Sequence, residues 1–157
     1  MSHLVPPRPR RNQARRRFAL VASRFNARYV DGLISHCTKE LRALSPGSTV
    51  RLLRVPGAFE IPLVVRQVAA KRKTDAIIAL GVILQGKTLH AEHLGLAVTN
   101  ALQQVAFEHG VPVIHAVLSL KNESQAKKRC FDDEMNRGTE AARTAVEMTN
   151  VLDKLRK

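Results

Sequence analysis

The richest chemistry per position lies in one heptapeptide, Leu84-Gln85-Gly86-Lys87-Thr88-Leu89-His90. It follows an apolar run and precedes a helical pattern, so free backbone N–H groups and the helix dipole favour an anion there. Gly86 allows close backbone approach, and Thr88 offers a hydroxyl and a candidate helix N-cap. The loop is neither GxxxxGK[ST] nor GxGxxG, so it does not indicate a nucleoside triphosphate. His90 falls in the first helical turn, where an imidazole either carries protons or simply packs at the helix start. His90-Ala91-Glu92-His93 contains H-x-E, half of a zinc deaminase signature, but the chain has no PCxxC and no HExxH. No metal is called for, and Glu92 and His93 read as helix-surface or interface residues. Phe25, in a turn after an apolar run, either faces a flat ligand or packs over a helix end. Arg129, beside Lys127 and Lys128, is either solvated surface or a bidentate phosphate contact.

Positioning these residues requires an alternation of strands and helices. FALVA at 18–22, TVRLLRV at 49–55, AIIALGVIL at 76–84 and VPVIHAVLS at 111–119 read as strands. The third is apolar almost throughout, as expected of a parallel strand buried on both faces. Between them, Val30, Leu33, Ile34, Cys37, Leu41 and Leu44 recur at helical spacing, as do Leu94, Val98, Ala101 and Val105. A second helix spans 61–70, with Pro62 tolerated in its first turn. A short helix near 123–129 and a last one containing Ala141, Ala145, Met148 and Leu152 complete the pattern. The order βαβαβαβ predicts a four-stranded parallel sheet in a three-layer α/β/α sandwich. Ligands of such sheets bind at the carboxyl ends of the strands, here the loops at 23–26, 56–60, 84–90 and 119–123.

The 157 residues carry 26 Lys and Arg against 13 Asp and Glu, a formal net charge of +13. Six arginines crowd residues 1–17 with three prolines and no acid, so that stretch reads as a flexible basic tail and 18–157 as a single domain. Outside the tail the excess falls to +7, ordinary for a protein handling anionic metabolites. One Tyr, five Phe and no Trp leave little surface for stacking single strands, so nucleic acid is expected at most through residues 1–17. No run approaches the roughly 18–20 apolar residues that span a bilayer, and the Arg/Pro stretch at the start reads as lacking the apolar centre of a secretory signal. A cytoplasmic protein with no membrane partner is expected. Cys37 and Cys130, in neither a CxxC nor a metal-ligand spacing, read as two free thiols.

Taken together, three blocks resemble lumazine synthase: Arg24-Phe25-Asn26, Val55-Pro56-Gly57-Ala58-Phe59-Glu60-Ile61-Pro62, and Gly81 through His90. The resemblance continues through Pro112-Val113-Ile114, Gln125-Ala126 with Arg129, and Gly138 with Glu140-Ala141-Ala142, covering 18 to about 153. It implies a flavodoxin-like fold and a cofactor-free transferase of riboflavin biosynthesis. That family joins 5-amino-6-(D-ribitylamino)uracil, a pyrimidinedione amine, to 3,4-dihydroxy-2-butanone 4-phosphate, a phosphorylated butanone. Phosphate and water leave as 6,7-dimethyl-8-ribityllumazine forms. By resemblance, Phe25 stacks on the pyrimidine, Ala58, Phe59 and Glu60 hold the ribityl chain and ring edge, and Val82, Ile83 and Leu84 give backbone contacts. Lys87 and Thr88 form the phosphate cradle, Arg129 pairs with that phosphate from a neighbouring subunit, and His90 shuttles protons.

Some positions depart from the family pattern. Gln85 stands where members often carry Arg, and Lys87 where a small or acidic residue is usual. His115 stands where many members present a Phe from the adjacent subunit to the bound ring. Phe131-Asp132-Asp133-Glu134-Met135 replaces a bend containing glycine and lysine. The resemblance implies a homo-oligomer built from pentamers, alone, paired into decamers or assembled into sixty-subunit icosahedral shells, with riboflavin synthase as a candidate partner. An alternative reading is a catalytically weakened shell or scaffold that holds anionic cargo, such as nucleic acid, through its basic tail.

Overall fold

A computed structural model describes residues 7–157. Along the chain come β1 (Arg17–Ser23), α1 (Ala27–Leu44), β2 (Thr49–Val55), a 3-10 turn (Ala58–Glu60) and α2 (Ile61–Ala70). They are followed by β3 (Ala76–Leu84), α3 (His90–His109), β4 (Val113–Leu120), α4 (Glu123–Cys130) and α5 (Arg137–Arg156). The strands form one sheet in the order β2-β1-β3-β4, every pair parallel. This is the order of the flavodoxin-like three-layer fold.

Strand periodicity divides the core in two. Ala76, Ile78, Leu80 and Val82 of β3 pack with Phe18, Leu20, Leu33, Leu41 and Ala142 on the face covered by α1 and α5. Ile77, Ala79 and Ile83, pointing the other way, pack with Val21, Ile61, Val65, Val98 and Leu102 under α2 and α3. Ile77, Ile78 and Leu80 expose no surface, and burying each contributes about 1.5–3 kcal/mol over leaving it in water. On the first face α5 runs so close to α1 that a Cβ on Gly138 would lie 2.3 Å from the Leu33 carbonyl oxygen. Only glycine fits that crossing.

Two of the boundaries that differ from the sequence expectation lie away from the strand ends' loops and have simple physical reasons. β4 starts at Val113 rather than 111, because Pro112 has no N–H for the ladder and joins it only by accepting the Ile77 N–H at 2.9 Å. The basic stretch expected to be free through residue 17 meets the body earlier. Asn12 N–H donates to the Leu44 carbonyl at 2.7 Å, Asn12 Nδ2 to Asn150 Oδ1 at 2.7 Å, and Arg16 N–H to Ser48 Oγ at 2.8 Å. The Arg16 guanidinium pairs with Asp153 of α5, and this hydrogen bond holds the Asp153 carboxyl below its usual range. Arg16 thus finds a fixed acid on a distant helix, which a local composition count cannot register. Residues 1–6 of the expected tail lie outside the described residues.

Cys37 and Cys130 are free and buried, and burial pushes both thiols up, Cys130 to about 12. Among the described residues no helix is long and apolar enough to cross a membrane.

Candidate active site

Three strand ends converge on one edge of the sheet. After β1 the chain turns at Asn26, whose φ of 56° is left-handed, a conformation asparagine tolerates better than most residues. That turn leaves the neighbouring Phe25 side chain 72% exposed. Phe25 N–H is itself tied to the Pro56 carbonyl at 3.0 Å. After β2, Gly57 begins the 3-10 turn, and Glu60 reaches back to accept the Gly57 N–H on Oε2 at 2.9 Å. This bond fixes one carboxylate oxygen of Glu60 and leaves the other to meet a ligand. β3 ends with Val82 and Ile83 buried and Leu84 half-buried.

Between these ends lies a cavity of about 500 Å³ lined by Ser23, Phe25, Gly57, Ala58, Phe59, Glu60, Val82, Ile83, Leu84, His90, Ala91 and Leu94. Its volume is that of a small-molecule site, and its apolar wall carries few polar groups. Phe59, 68% exposed, adds a second open aromatic side chain. A flat heterocycle with a polar substituent suits such a wall, with Glu60 available to accept from hydroxyl or amine donors.

Leu84 and His90 both line the cavity, so the exposed loop Gln85–Leu89 spans its rim. Thr88 does not cap α3 as expected. The N-cap position is Leu89, which offers no side-chain acceptor, and Thr88 Oγ1 stands 3.4 Å from the His90 N–H. The chain takes one more residue to turn out of the loop, so α3 begins at His90. Among the described residues no side chain accepts the N–H groups of Ala91 and Glu92. The positive end of this 20-residue helix therefore faces the rim where Lys87 and Thr88 sit, an arrangement that favours a phosphate. Among the described residues no group of three or more His, Cys, Asp or Glu stands together as a metal site, the histidines of 90–93 included.

His115 and Arg129 lie elsewhere. His115 faces a larger groove of about 780 Å³ between α3, the edge strand β4 and α5, shared with Phe107, Arg137 and Met148. Its surroundings lower its pKa by desolvation. Arg129, half-buried in the last turn of α4, lines neither cavity. Of the residues singled out from the sequence, one cavity thus collects Phe25, Ala58, Phe59, Glu60, Val82, Ile83, Leu84 and His90, with Lys87 and Thr88 on its rim. Ser23, Gly57, Ala91 and Leu94 complete the lining without having been singled out as site residues. Ala91 and Leu94 carry no functional group, and the Ser23 hydroxyl stands at a strand end with no pattern in the sequence to mark it. Asn26 did carry a signal: a residue type that accepts left-handed geometry, placed where a strand turns into a helix.

The model of the family described as 6,7-dimethyl-8-ribityllumazine synthase matches residues 15–153. A 6,7-dimethyl-8-ribityllumazine synthase from Leptothrix cholodnii is 41% identical over 140 residues, 88% of each chain. One from Halorhodospira halophila is also 41% identical over 140 residues, 88% of this chain and 90% of the relative. One from Paraburkholderia phymatum is 40% identical over 136 residues, 86% of this chain and 77% of the relative. The family match spans all three strand ends that build the cavity and its rim, and this chain belongs to the 6,7-dimethyl-8-ribityllumazine synthase family.

Proposed function

We propose that the cavity condenses 5-amino-6-(D-ribitylamino)uracil with 3,4-dihydroxy-2-butanone 4-phosphate to 6,7-dimethyl-8-ribityllumazine, releasing phosphate and water. The observation that carries this reading is the gathering of Phe25, Ala58–Glu60, Val82–Leu84 and His90 around one cavity, although they come from three separate strand ends. Phe25 stacks on the pyrimidine ring. Ala58, Phe59 and Glu60 hold the ribityl chain, with the unpaired Glu60 oxygen accepting from its hydroxyls. Backbone groups at Val82, Ile83 and Leu84 take the ring edge. Lys87, Thr88 and the open N-terminus of α3 receive the phosphate of the second substrate.

The substrate's 5-amino group attacks the ketone and water leaves to form an imine, phosphate is lost by elimination, and the ribitylamino nitrogen then closes the ring on the carbonyl this unmasks, releasing a second water. Each step moves a proton onto or off a reacting atom. His90, at the cavity wall beside the phosphate rim, is placed to carry those protons. Orienting two bound molecules against each other lowers the barrier by up to about 7–11 kcal/mol in favourable cases. No cofactor enters this scheme.

His115 and Arg129 lie outside the cavity of their own chain, which supports a site completed by a neighbouring copy. A five-membered ring supplies such a heterologous, closed contact, with His115 facing the bound ring and Arg129 the phosphate of the adjacent site. Riboflavin synthase, which consumes the lumazine, is the proposed protein partner, and the 18–157 unit is the catalytic domain, with cytoplasmic residence. The test is to supply both substrates to the purified oligomer and each substrate alone. Product only when both are present supports the reading, and a folded oligomer that makes none contradicts it.

A further inference from the structure

The end of β3 outruns the strand beside it. β1 stays paired with β3 only to Ala22 opposite Leu80, whereas β3 continues to Leu84. Ile77 N–H and Gln85 N–H both donate towards β4, to the Pro112 and Leu120 carbonyls, so odd-numbered β3 residues face β4. Even-numbered ones therefore turn their N–H and C=O groups towards β1. Past Leu80 these are the groups of Val82 and Leu84, on an edge that β1 no longer covers.

A continued β1 would satisfy the Val82 carbonyl with the N–H of residue 25. That N–H is turned instead to the Pro56 carbonyl at 3.0 Å. Asn26 Nδ2 takes its place, donating to the Val82 carbonyl at 2.7 Å, and the left-handed φ of 56° aims the amide there. One side chain thus supplies the donor that the Val82 carbonyl would otherwise lack. Leu84, two residues further on the same edge and lining the cavity, is left with its backbone groups open to a ligand.

We propose that Asn26 is a positioning residue for the pyrimidine substrate. Its amide ties the Phe25 turn to the end of β3, setting the gap between the Phe25 ring and the Val82–Leu84 backbone into which the heterocycle slides. By capping Val82 it also leaves Leu84 as the uncovered peptide edge, so the ring binds in one register. This rests on the substrate assignment above and adds to it the residue that fixes the geometry of the pyrimidine half-site. The phosphate half-site, at the rim and the start of α3, does not depend on Asn26.

Two variants test it. Asn26→Gly keeps the left-handed turn and removes the amide, and Asn26→Asp keeps the shape but sets a carboxylate oxygen against the Val82 carbonyl. Both should raise the KM and the calorimetric Kd for the pyrimidine amine on the order of tenfold, the scale of one lost hydrogen bond. Asn26→Asp should be the more severe. The KM for the phosphorylated butanone should change less than about twofold, since its contacts are untouched. Wild-type turnover with an unchanged pyrimidine KM in both variants, or equal rises for both substrates, overturns the role of Asn26 alone. A wild-type oligomer that neither binds the amine nor forms product overturns the substrate assignment and this inference together.

Discussion

Thr99 Oγ1 stands 2.7 Å from His115 Nε2 and 2.7 Å from the Gly95 carbonyl, joining α3 to the edge strand β4 through one hydroxyl. The hydroxyl proton goes to Gly95, so Nε2 must donate to Thr99. Nδ1 accepts the Val117 N–H at 3.1 Å and carries no proton. The hydrogen bonds favour the neutral Nε2–H tautomer, and partial desolvation lowers the pKa in the same sense although the residue keeps an exposed edge. As pH falls past the ordinary histidine range near 6.5, the unfolded chain takes up a proton before the folded one does. The stability tied to this group is therefore complete above that range and is lost as pH falls through the lower folded-state pKa. Melting of the wild type between pH 7.5 and 5 should show a steeper fall in Tm than that of His115→Phe. Equal slopes would mean that His115 is not held neutral.

His90→Ala should lower kcat on the order of a hundredfold, the usual worth of one positioned proton carrier, while the KM values move little. Steady-state kinetics with both substrates saturating provide the readout. A variant with unchanged kcat would remove His90 from the chemistry.

Arg129 and His90 are predicted to serve the same site from different chains. Arg129→Ala alone should raise the KM for the phosphorylated butanone about tenfold or more, as expected for losing a charge-assisted phosphate contact. Dissociating His90→Ala and Arg129→Ala together and reassembling them should restore activity at about one quarter of the sites, since random neighbours pair two intact contributors that often. Recovery no better than the sum of the parents would place both residues within one chain's site.

The N-terminal segment should divide at Asn12. Removing residues 1–11 deletes the exposed Arg8–Glu40 pair, which contributes little, and should leave Tm within about 1 °C. Removing residues 1–16 also takes the Asn12 bonds and the Arg16–Asp153 pair, and should lower Tm by roughly 5 °C. Calorimetry of the two truncations decides it, and equal melting would show that residues 12–16 add nothing to the fold.

Most of this architecture was legible because its signals are periodic. The apolar run 76–84 announces a strand buried on both faces, and it forms β3 at the centre of the sheet. The cavity was legible because a parallel sheet sends its ligands to the carboxyl ends of its strands, and Phe25, Glu60 and His90 all sit there. What the sequence hid depends on distant partners. The Arg16–Asp153 pair joins residues 137 positions apart, so no local count of arginines could reveal that the basic stretch is anchored. The start of α3 at His90 rather than after Thr88 turns on a single backbone rotation in a polar loop. Asn26 reads in the sequence as a turn residue, and only the offset between the ends of β1 and β3 gives it the Val82 carbonyl to hold.

The condensation itself is tested most plainly by its stoichiometry. The oligomer is mixed with 5-amino-6-(D-ribitylamino)uracil and 3,4-dihydroxy-2-butanone 4-phosphate, and the lumazine is followed by its absorbance while inorganic phosphate is assayed in the same samples. Lumazine and phosphate should appear in equal amounts, and both should fall together in His90→Ala. Phosphate released without lumazine, or neither from a folded oligomer, would contradict the condensation.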